Sequence, residues 1–375
     1  MSQLKVMTVV GTRPEIIKLS RIIPKLDETF NHVLVNSDQN FDYELNEIFF
    51  KDLKIRKPDE NLKIKEKNAS KTIGKVIEKT DSLIKKYKPD AFLILGDTNS
   101  CLSCISAKRN KVPIFHLEAG NRCFDQRVPE EINRKIIDHV SDVNLTYSSI
   151  AREYLLNEGL PKDQIIKVGS PMREVLKFYE NKINKSKILN KLKLSKYNYV
   201  LFSLHREENV DDKKNLKSFI KILNFLEEKE NKKIIISTHP RTRKNLEKLN
   251  FKHSSKINFL NPFSFSEYIK LQLNSKYVLS DSGTITEESS ILNFPAINLR
   301  ENHERPEGNE EGSVIFTSLS LNNIDQAINI IKSQKRGKIR NINPVKDYEV
   351  DNVSEKIIRI ILSYTNYINN KTWKK

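Results

Sequence analysis

The strongest constraint on this chain is a rhythm. Short apolar runs, KVMTVVG, HVLVNS, AFLILG, VPIFHL, VNLTYS and IIKVGS, alternate with segments of helical spacing. In KTIGKVIEKTDSLIKKYKP, for example, Ile73, Val76, Ile77, Leu83 and Ile84 fall on one face of a helix. Runs that are apolar throughout suit strands buried on both sides, and their alternation with helices predicts a parallel α/β sheet. After Gly169 the rhythm restarts with YVLFSLH, KIIISTHP, INFLNP, YVLSDSG and PAINLR, separated by helical text such as NLKSFIKILNFLEEK and SFSEYIKLQLN. A chain of 375 residues also exceeds what one hydrophobic core usually supports. Two α/β domains are therefore expected, residues 1–169 and 170–352. The amphipathic segment 353–375, which contains VSEKIIRIILSYTNYI, is expected to pack back on the first domain.

Hydrophobic residues make up 38% and charged residues 30%, as in an ordinary soluble globular chain. The formal net charge of +17 raises nucleic acid or a polyanionic small molecule as partners. Much of the excess is scattered lysine in text such as YENKINKSKILNKLKLSKY, and no RNA-binding motif or zinc-finger spacing accompanies it. The charge thus reads as compositional bias, with an acidic ligand still compatible and nucleic acid not expected. Three cysteines suit a reducing cytoplasm better than a disulfide framework. Cys101 and Cys104 form a CxxC without a second pair, inside the small-residue run TNSCLSCISA, and read as a buried helix face rather than a metal site. MSQLKVMTVVGTRPE runs directly into a strand without a signal-peptide pattern, and no apolar run approaches 18 residues. A cytoplasmic protein without membrane insertion is expected.

In open α/β sheets the ligand sits beyond the carboxyl ends of the strands, and the unusual residues collect there. GTRPE follows the first strand: Gly11 permits a tight turn, Arg13 offers a fork of donors and Pro14 fits the start of a helix. It reads equally as an anion site or a well-made turn. In SDSGTITEESS, Ser282, Gly283 and Thr284 would turn backbone N–H groups toward an anion at a helix start, or form an ordinary cap. Glu288, one turn later, is placed to accept hydrogen bonds from hydroxyls such as a ribose diol. Arg305 lies in the charged text RENHERPEGNEEG. Three acidic positions, Asp97 in LILGDTNS, Glu118 in FHLEAGNR and Glu130 in RVPEEINR, also stand at strand ends or at a helix start. A helix-start preference and a contact between Glu131 and Lys135 would explain the last without chemistry. His205 in SLHREEN and His239 in STHPR end strands of the second half. Carboxylates in one half and anion-binding groups in the other suit a nucleotide-activated substrate.

As a set, GTRPEIIKLS, GDTNS, HLEAGNR, PEEINR, LHREEN, SDSGTITEE and ERPE resemble the non-hydrolysing UDP-N-acetylglucosamine 2-epimerases, in that family's order over nearly the whole chain. The resemblance implies a GT-B-like α/β fold with two Rossmann-type domains facing a central cleft that holds a UDP-sugar. It also implies a homodimer and neither metal nor other cofactor. On this basis Arg13, Lys18, His205, Ser282, Gly283, Thr284, Glu288 and Arg305 are expected on the UDP moiety. Asp97, Glu118 and Glu130 are the expected acid/base groups around the sugar, with His205 counted among the catalytic candidates beside the leaving diphosphate.

Two departures bear on substrate. The N-acetylglucosamine enzymes usually carry a form close to AGLRTGDxxSPxPEExNR, where this chain has the shorter AGNRCFDQRVPEEINR. This version resembles the branch that makes UDP-N-acetyl-L-fucosamine from UDP-2-acetamido-2,6-dideoxy-L-talose for surface polysaccharides such as capsule or O-antigen. NSDQNFDYE stands where many members have HTGQ, a region that contributes to an activating second UDP-sugar site. Two alternatives follow from the resemblance itself: a UDP-N-acetylglucosamine 2-epimerase, or a GT-B glycosyltransferase.

Overall fold

The computed structural model describes residues 3–38, 47–64, 66, 68–204, 206–238, 240–249, 251 and 253–375. The chain divides into two compact units, Met1–Lys177 with Lys346–Lys375, and Phe178–Val345. Each is built around a parallel sheet, in agreement with the α/β class expected from the sequence.

In the first unit the strands are β1 (Lys5–Val10), β2 (Asn31–Asn36), β3 (Glu60–Asn61), β4 (Ala91–Leu95), β5 (Ile114–Ala119), β6 (Val143–Thr146) and β7 (Ile165–Lys167). They pair in the order β3-β2-β1-β4-β5-β6-β7, all parallel. In the second unit β8 (Tyr199–Ser203), β9 (Lys233–Ser237), β10 (Ile257–Leu260), β11 (Val278–Ser280), β12 (Ala296–Leu299) and β13 (Ile315–Thr317) pair as β10-β9-β8-β11-β12-β13. Over six strands the two orders are the same: the chain starts in the middle, runs outward on one side, then crosses back and runs outward on the other.

The uniformly apolar strands are buried as their composition requires. Val6, Met7, Val9 and Val10 of β1 and all five residues of β4 are covered on both faces. Each fully buried aliphatic or aromatic side chain contributes roughly 1.5–3 kcal/mol relative to exposure. The helix Ala69–Tyr87 follows the predicted face, with Val76 and Ile84 fully buried and Ile73, Ile77 and Leu83 half-buried. Asn68 caps it by accepting from the Lys71 N–H, and Lys88 ends it in a left-handed conformation. Cys101 and Cys104 are buried, with Cys101 Sγ donating to the Leu95 carbonyl (3.0 Å), as a packed helix face demands. The strands β3 and β13, of two and three residues, lie at sheet edges and carry no apolar run long enough to announce them.

The final helix, Val353–Ile368, lies against the helix Ile22–Thr29 of the first unit, and Ile357, Ile358, Ile361 and Ile368 on it are buried. The segment leading to it is tied in by Asp347, whose carbonyl accepts from the Ser170 N–H (3.2 Å) and whose carboxylate accepts from the Ser149 N–H (2.9 Å). No helix among the described residues is long and apolar enough to cross a membrane.

Candidate active site

A parallel sheet whose strand order reverses leaves a crevice at the carboxyl ends of the two strands flanking the reversal. In the first unit those strands are β1 and β4. The turn after β1 brings Gly11, Thr12 and Arg13 to this place, and the turn after β4 brings Gly96 and Asp97.

Glu15 joins the two turns. Its carboxyl accepts from the Gly11 N–H (2.6 Å), Thr12 Oγ1 (2.9 Å) and Thr98 Oγ1 (2.7 Å). Burial pushes its pKa up to about 7, with the bonds from Thr98, Thr12 and Gly11 acting the other way. Gly11 has no room for a side chain: a Cβ there would lie 2.4 Å from Ser37 Oγ and 2.7 Å from Ser100 Oγ. Arg13 is half-buried, its guanidinium 5.7 Å from the centre of the Phe49 ring.

Asp97 is half-buried and paired with Arg134, whose Nη2 lies 2.7 Å and Nε 3.2 Å from Asp97 Oδ2. Asn133 Nδ2 donates to the Asp97 carbonyl (2.9 Å). Both partners come from the helix Pro129–Val140, so the helix that starts with Glu130 also holds Asp97.

Glu118 sits where β5 breaks register with β6, between Leu117 and Ala119. Its φ of 71° is left-handed, a conformation that costs a non-glycine residue on the order of 1–3 kcal/mol and that persists only where surroundings hold it. Lys18 Nζ lies 2.6 Å from Glu118 Oε2 and 5.1 Å from the centre of the Tyr147 ring. Lys18, expected on the UDP moiety, is thus also the direct partner of one acid/base candidate.

Glu130 and Glu131 part company at the helix start. Glu130 is half-buried in the first turn. Glu131 is fully buried and accepts from the N–H groups of Cys123 and Phe124 (3.1 Å each), and it forms an ion pair with Arg134. Burial would raise its pKa, but the Cys123 N–H and the Arg134 charge outweigh that and hold it below the ordinary value. Glu131 therefore latches the loop 121–128, and its partner one turn on is Arg134 rather than Lys135.

In the second unit the order reverses between β8 and β11. Asp281, at the end of β11, is fully buried and accepts from the Arg206 N–H (2.9 Å) and Asn209 Nδ2 (3.1 Å), so it ties together the turns after both strands. Ser282, Gly283 and Thr284 follow and open the helix Thr284–Leu292. The Ser282 N–H does not lead into the helix mouth; it donates to Ser280 Oγ (3.1 Å), while Ser282 Oγ meets Thr284 Oγ1 (3.0 Å). Gly283 and Thr284 are left as the first-turn N–H donors at the positive end of that helix.

Behind Gly283 lies a buried charge cluster. Arg305 is 4% exposed, not set in an open loop, and its Nη1 donates to Glu304 Oε1 (2.5 Å) while its Nε lies 3.2 Å from Glu287 Oε2. Arg300 Nη1 lies 2.7 Å from Glu304 Oε2. Burial pushes the Arg300 pKa down, Glu304 opposes this, and Arg206 and Arg305 add to the lowering. A Cβ on Gly283 would lie 2.5 Å from both Arg305 Nη1 and Glu304 Oε1, so any larger residue there must displace the buried ends of these two side chains. Glu288 is nearly buried and accepts from Gln272 Nε2 (2.6 Å) through Oε2. His205, His239 and residues 39–44 of the NSDQNFDYE stretch lie outside the described residues.

Several participants were not singled out by sequence. Glu15, Arg134 and Asp281 each sit in a quoted motif, and Arg134 falls three residues after Glu131, the spacing at which helix neighbours meet. Arg300 opens the charged text RENHERPEGNEEG at a strand end, where only Arg305 was singled out.

Residues 24–362 match the family model described as UDP-N-acetylglucosamine 2-epimerase. The UDP-N-acetylglucosamine 2-epimerase of Methanocaldococcus jannaschii is 35% identical over 374 residues, covering 97% of this chain and 100% of that protein. A crystal structure of the same archaeal enzyme in complex with UDP-GlcNAc and UDP has a TM-score of 0.90 at 33% identity, over 96% of this chain and 100% of that one. A structure of UDP-N-acetylglucosamine 2-epimerase from Rickettsia bellii has a TM-score of 0.94 at 53% identity, with full coverage of both chains. The UDP-2,3-diacetamido-2,3-dideoxy-D-glucuronate 2-epimerase of Pseudomonas aeruginosa is 34% identical over 306 residues, 80% of this chain and 84% of that protein. The chain belongs to the UDP-N-acetylglucosamine 2-epimerase family, and with it to the non-hydrolysing isomerases of GT-B-like α/β fold.

Proposed function

We propose that this UDP-sugar 2-epimerase converts UDP-2-acetamido-2,6-dideoxy-L-talose to UDP-N-acetyl-L-fucosamine, as a cytoplasmic homodimer supplying surface polysaccharide synthesis. The observation that carries the acid/base reading is the crowding of carboxylates at the carboxyl ends of β4 and β5. Asp97 and Glu118 leave adjacent strands, and each is held by a buried cation, Arg134 and Lys18.

The proton on carbon 2 of an acetamido sugar is not acidic, because no carbonyl adjoins that carbon. Breaking the bond between carbon 1 and the diphosphate oxygen first develops positive charge at carbon 1, which acidifies the neighbouring proton. A carboxylate takes that proton, and the electron pair of the C–H bond closes the double bond of a 2-acetamidoglycal while UDP departs. Return of a proton to the opposite face of carbon 2, with re-addition of the UDP oxygen at carbon 1, gives the epimer. Inversion requires acid and base on different faces, a role for which Asp97, Glu118 and Glu130 are the candidates. The departing diphosphate is stabilised by preorganised donors, each worth roughly 10²- to 10³-fold in rate by analogy with oxyanion-hole donors. Gly283, Thr284, Arg305, Arg13 and His205 fill that part, with Glu288 on the ribose.

Substrate choice is assigned to the segment 121–128, NRCFDQRV, which Glu131 latches and which departs from the N-acetylglucosamine pattern. The Pseudomonas aeruginosa relative, whose substrate is named as a diacetamido glucuronate, supports the view that the family's chemistry accommodates different sugars. An NMR time course in deuterium oxide tests the reading with both UDP-2-acetamido-2,6-dideoxy-L-talose and UDP-N-acetylglucosamine. The expected result is conversion of the L-talo sugar with deuterium entering carbon 2. Efficient epimerisation of UDP-N-acetylglucosamine with the L-talo sugar untouched would reverse the substrate assignment.

A further inference from the structure

We infer that Asp138 is a positioning residue for the reaction, a buried carboxylate that holds the turn carrying Glu118 directly and the turn carrying Asp97 through His116. It lies in the helix Pro129–Val140, fully buried. Asp138 Oδ1 is 2.8 Å from His116 Nδ1, and the other ring nitrogen of His116 is 2.8 Å from the Gly96 carbonyl, the peptide that precedes Asp97. Both ring nitrogens face oxygen acceptors, so the ring is fixed from two sides. The same carboxylate accepts directly from the Gly120 N–H (3.2 Å to Oδ2, 3.3 Å to Oδ1), two residues past Glu118.

A third arm keeps the carboxylate in place. Arg122 Nη1 donates to Asp138 Oδ2 (2.6 Å) and to the Asn121 carbonyl (2.8 Å). Arg122 then grips Glu158 bidentately, Nε to Oε1 and Nη2 to Oε2, both at 2.7 Å. Asn144 Nδ2 fixes the Asp138 backbone carbonyl (2.9 Å). Burial alone would drive the Asp138 pKa up, yet the bonds and charges of His116 and Arg122 outweigh it and keep the group ionised.

Gly96 and Gly120 have φ of 86° and 82°, and Glu118 between them is left-handed at 71°. Gly120 is also closed in: a Cβ there would lie 2.3 Å from the Ala151 carbonyl oxygen. The Gly96 N–H donates to the Leu117 carbonyl (2.9 Å), and Asp138 adds a buried side-chain anchor to this backbone link between the two turns. A misplacement of about 1 Å in reacting groups costs up to roughly 10²-fold in rate.

The inference rests on the acid/base reading of Asp97 and Glu118, and its test separates the two. In Asp138→Asn the shape is kept and the charge is lost, with an amide facing donors. The expected result is a roughly 10- to 100-fold fall in kcat, UDP affinity within threefold of wild type by calorimetry, and faster hydrogen exchange confined to peptides spanning 96–99 and 118–122. Asp142→Asn is the control: Asp142 is a buried carboxylate at the other end of β5, bound to the Ile114 N–H (3.0 Å) and Lys108 (2.5 Å), and its loss should leave kcat within threefold. If Asp138→Asn does not fold, His116→Gln is read in its place, with a kcat loss of at least threefold expected. A folded variant at either position with wild-type kcat and unchanged exchange at both turns overturns the proposal. If wild type epimerises no UDP-sugar offered, the functional reading fails while the exchange experiment still decides whether Asp138 couples the turns.

Discussion

Lys18 Nζ lies 2.6 Å from Glu118 Oε2, the ammonium almost wholly buried and the carboxylate nearly so. The pair locks the helix Arg13–Leu19 to the left-handed residue at the end of β5.

Lys18→Met should therefore be costly in a way that its partner can repair. Removing one member of a buried pair leaves an uncompensated charge, on the order of 3–5 kcal/mol, whereas removing both is often nearly neutral. Thermal melts of Lys18→Met, Glu118→Gln and the double variant check this. The double variant should be more stable than Lys18→Met while remaining inactive, and an additive loss would show that the two side chains are not coupled.

Asp97→Asn and Glu130→Gln should each lower turnover by roughly 10²- to 10⁴-fold, the range of a lost general acid or base. UDP affinity should hold within threefold, because the residues assigned to UDP are left in place. Calorimetry with UDP beside the NMR assay distinguishes the outcomes; equal losses of affinity and turnover would make these binding residues.

Glu15 sets a pH dependence of known sign. Its folded-state pKa is raised to about 7 from 4.5 by burial, so between those values the folded protein binds more protons than the unfolded chain. Stability attributable to Glu15 is intact below pH 4.5 and falls as pH rises through 7, by on the order of 3 kcal/mol. The stability difference between wild type and Glu15→Gln should accordingly shift against wild type from pH 5 to pH 8. Denaturant melts of the two proteins at both pH values measure it, and a constant difference would mean the carboxyl ionises at an ordinary pH.

Gly283→Ala should weaken UDP binding by roughly 10- to 100-fold. The new methyl would collide with Arg305 Nη1 and Glu304 Oε1, both 2.5 Å from its position, and force the helix start away from the buried arginines. Two or more disturbed charge-assisted hydrogen bonds, each worth about 1.5–3 kcal/mol, are sufficient for that loss. Calorimetry with UDP reads it directly, and an unchanged Kd would remove Gly283 from the diphosphate site.

The strands were legible because their residues are apolar on every face; β4 reads AFLIL and buries all five residues. Strand order was not, since the reversal between β1 and β4 depends on which distant segments pair. That reversal is what gives Asp97 and the SDSG turn their equivalent places in the two units. Among the charged residues, the resemblance singled out Glu130 as an acid/base candidate and left Glu131 only a helix contact with Lys135. Which one turns inward is decided by the Cys123 and Phe124 N–H groups, eight and seven residues upstream of Glu131. Asp138 reads in KIIDHV as an ordinary polar-face residue, and its burial depends on partners 16 and 22 residues away.

The shared strand order has a consequence for how such a chain changes over time. Each sheet delivers two turns to its own point of reversal, and the frame is indifferent to what those turns carry: a carboxylate at Asp97 in one unit, a glycine and hydroxyls at Ser282 to Thr284 in the other. New chemistry at either place therefore asks only for substitutions in a few residues past the strand ends. The strands that present them are close-packed and tolerate little change in volume, so altered substrate use is reached through the turns, in small steps from a folded parent.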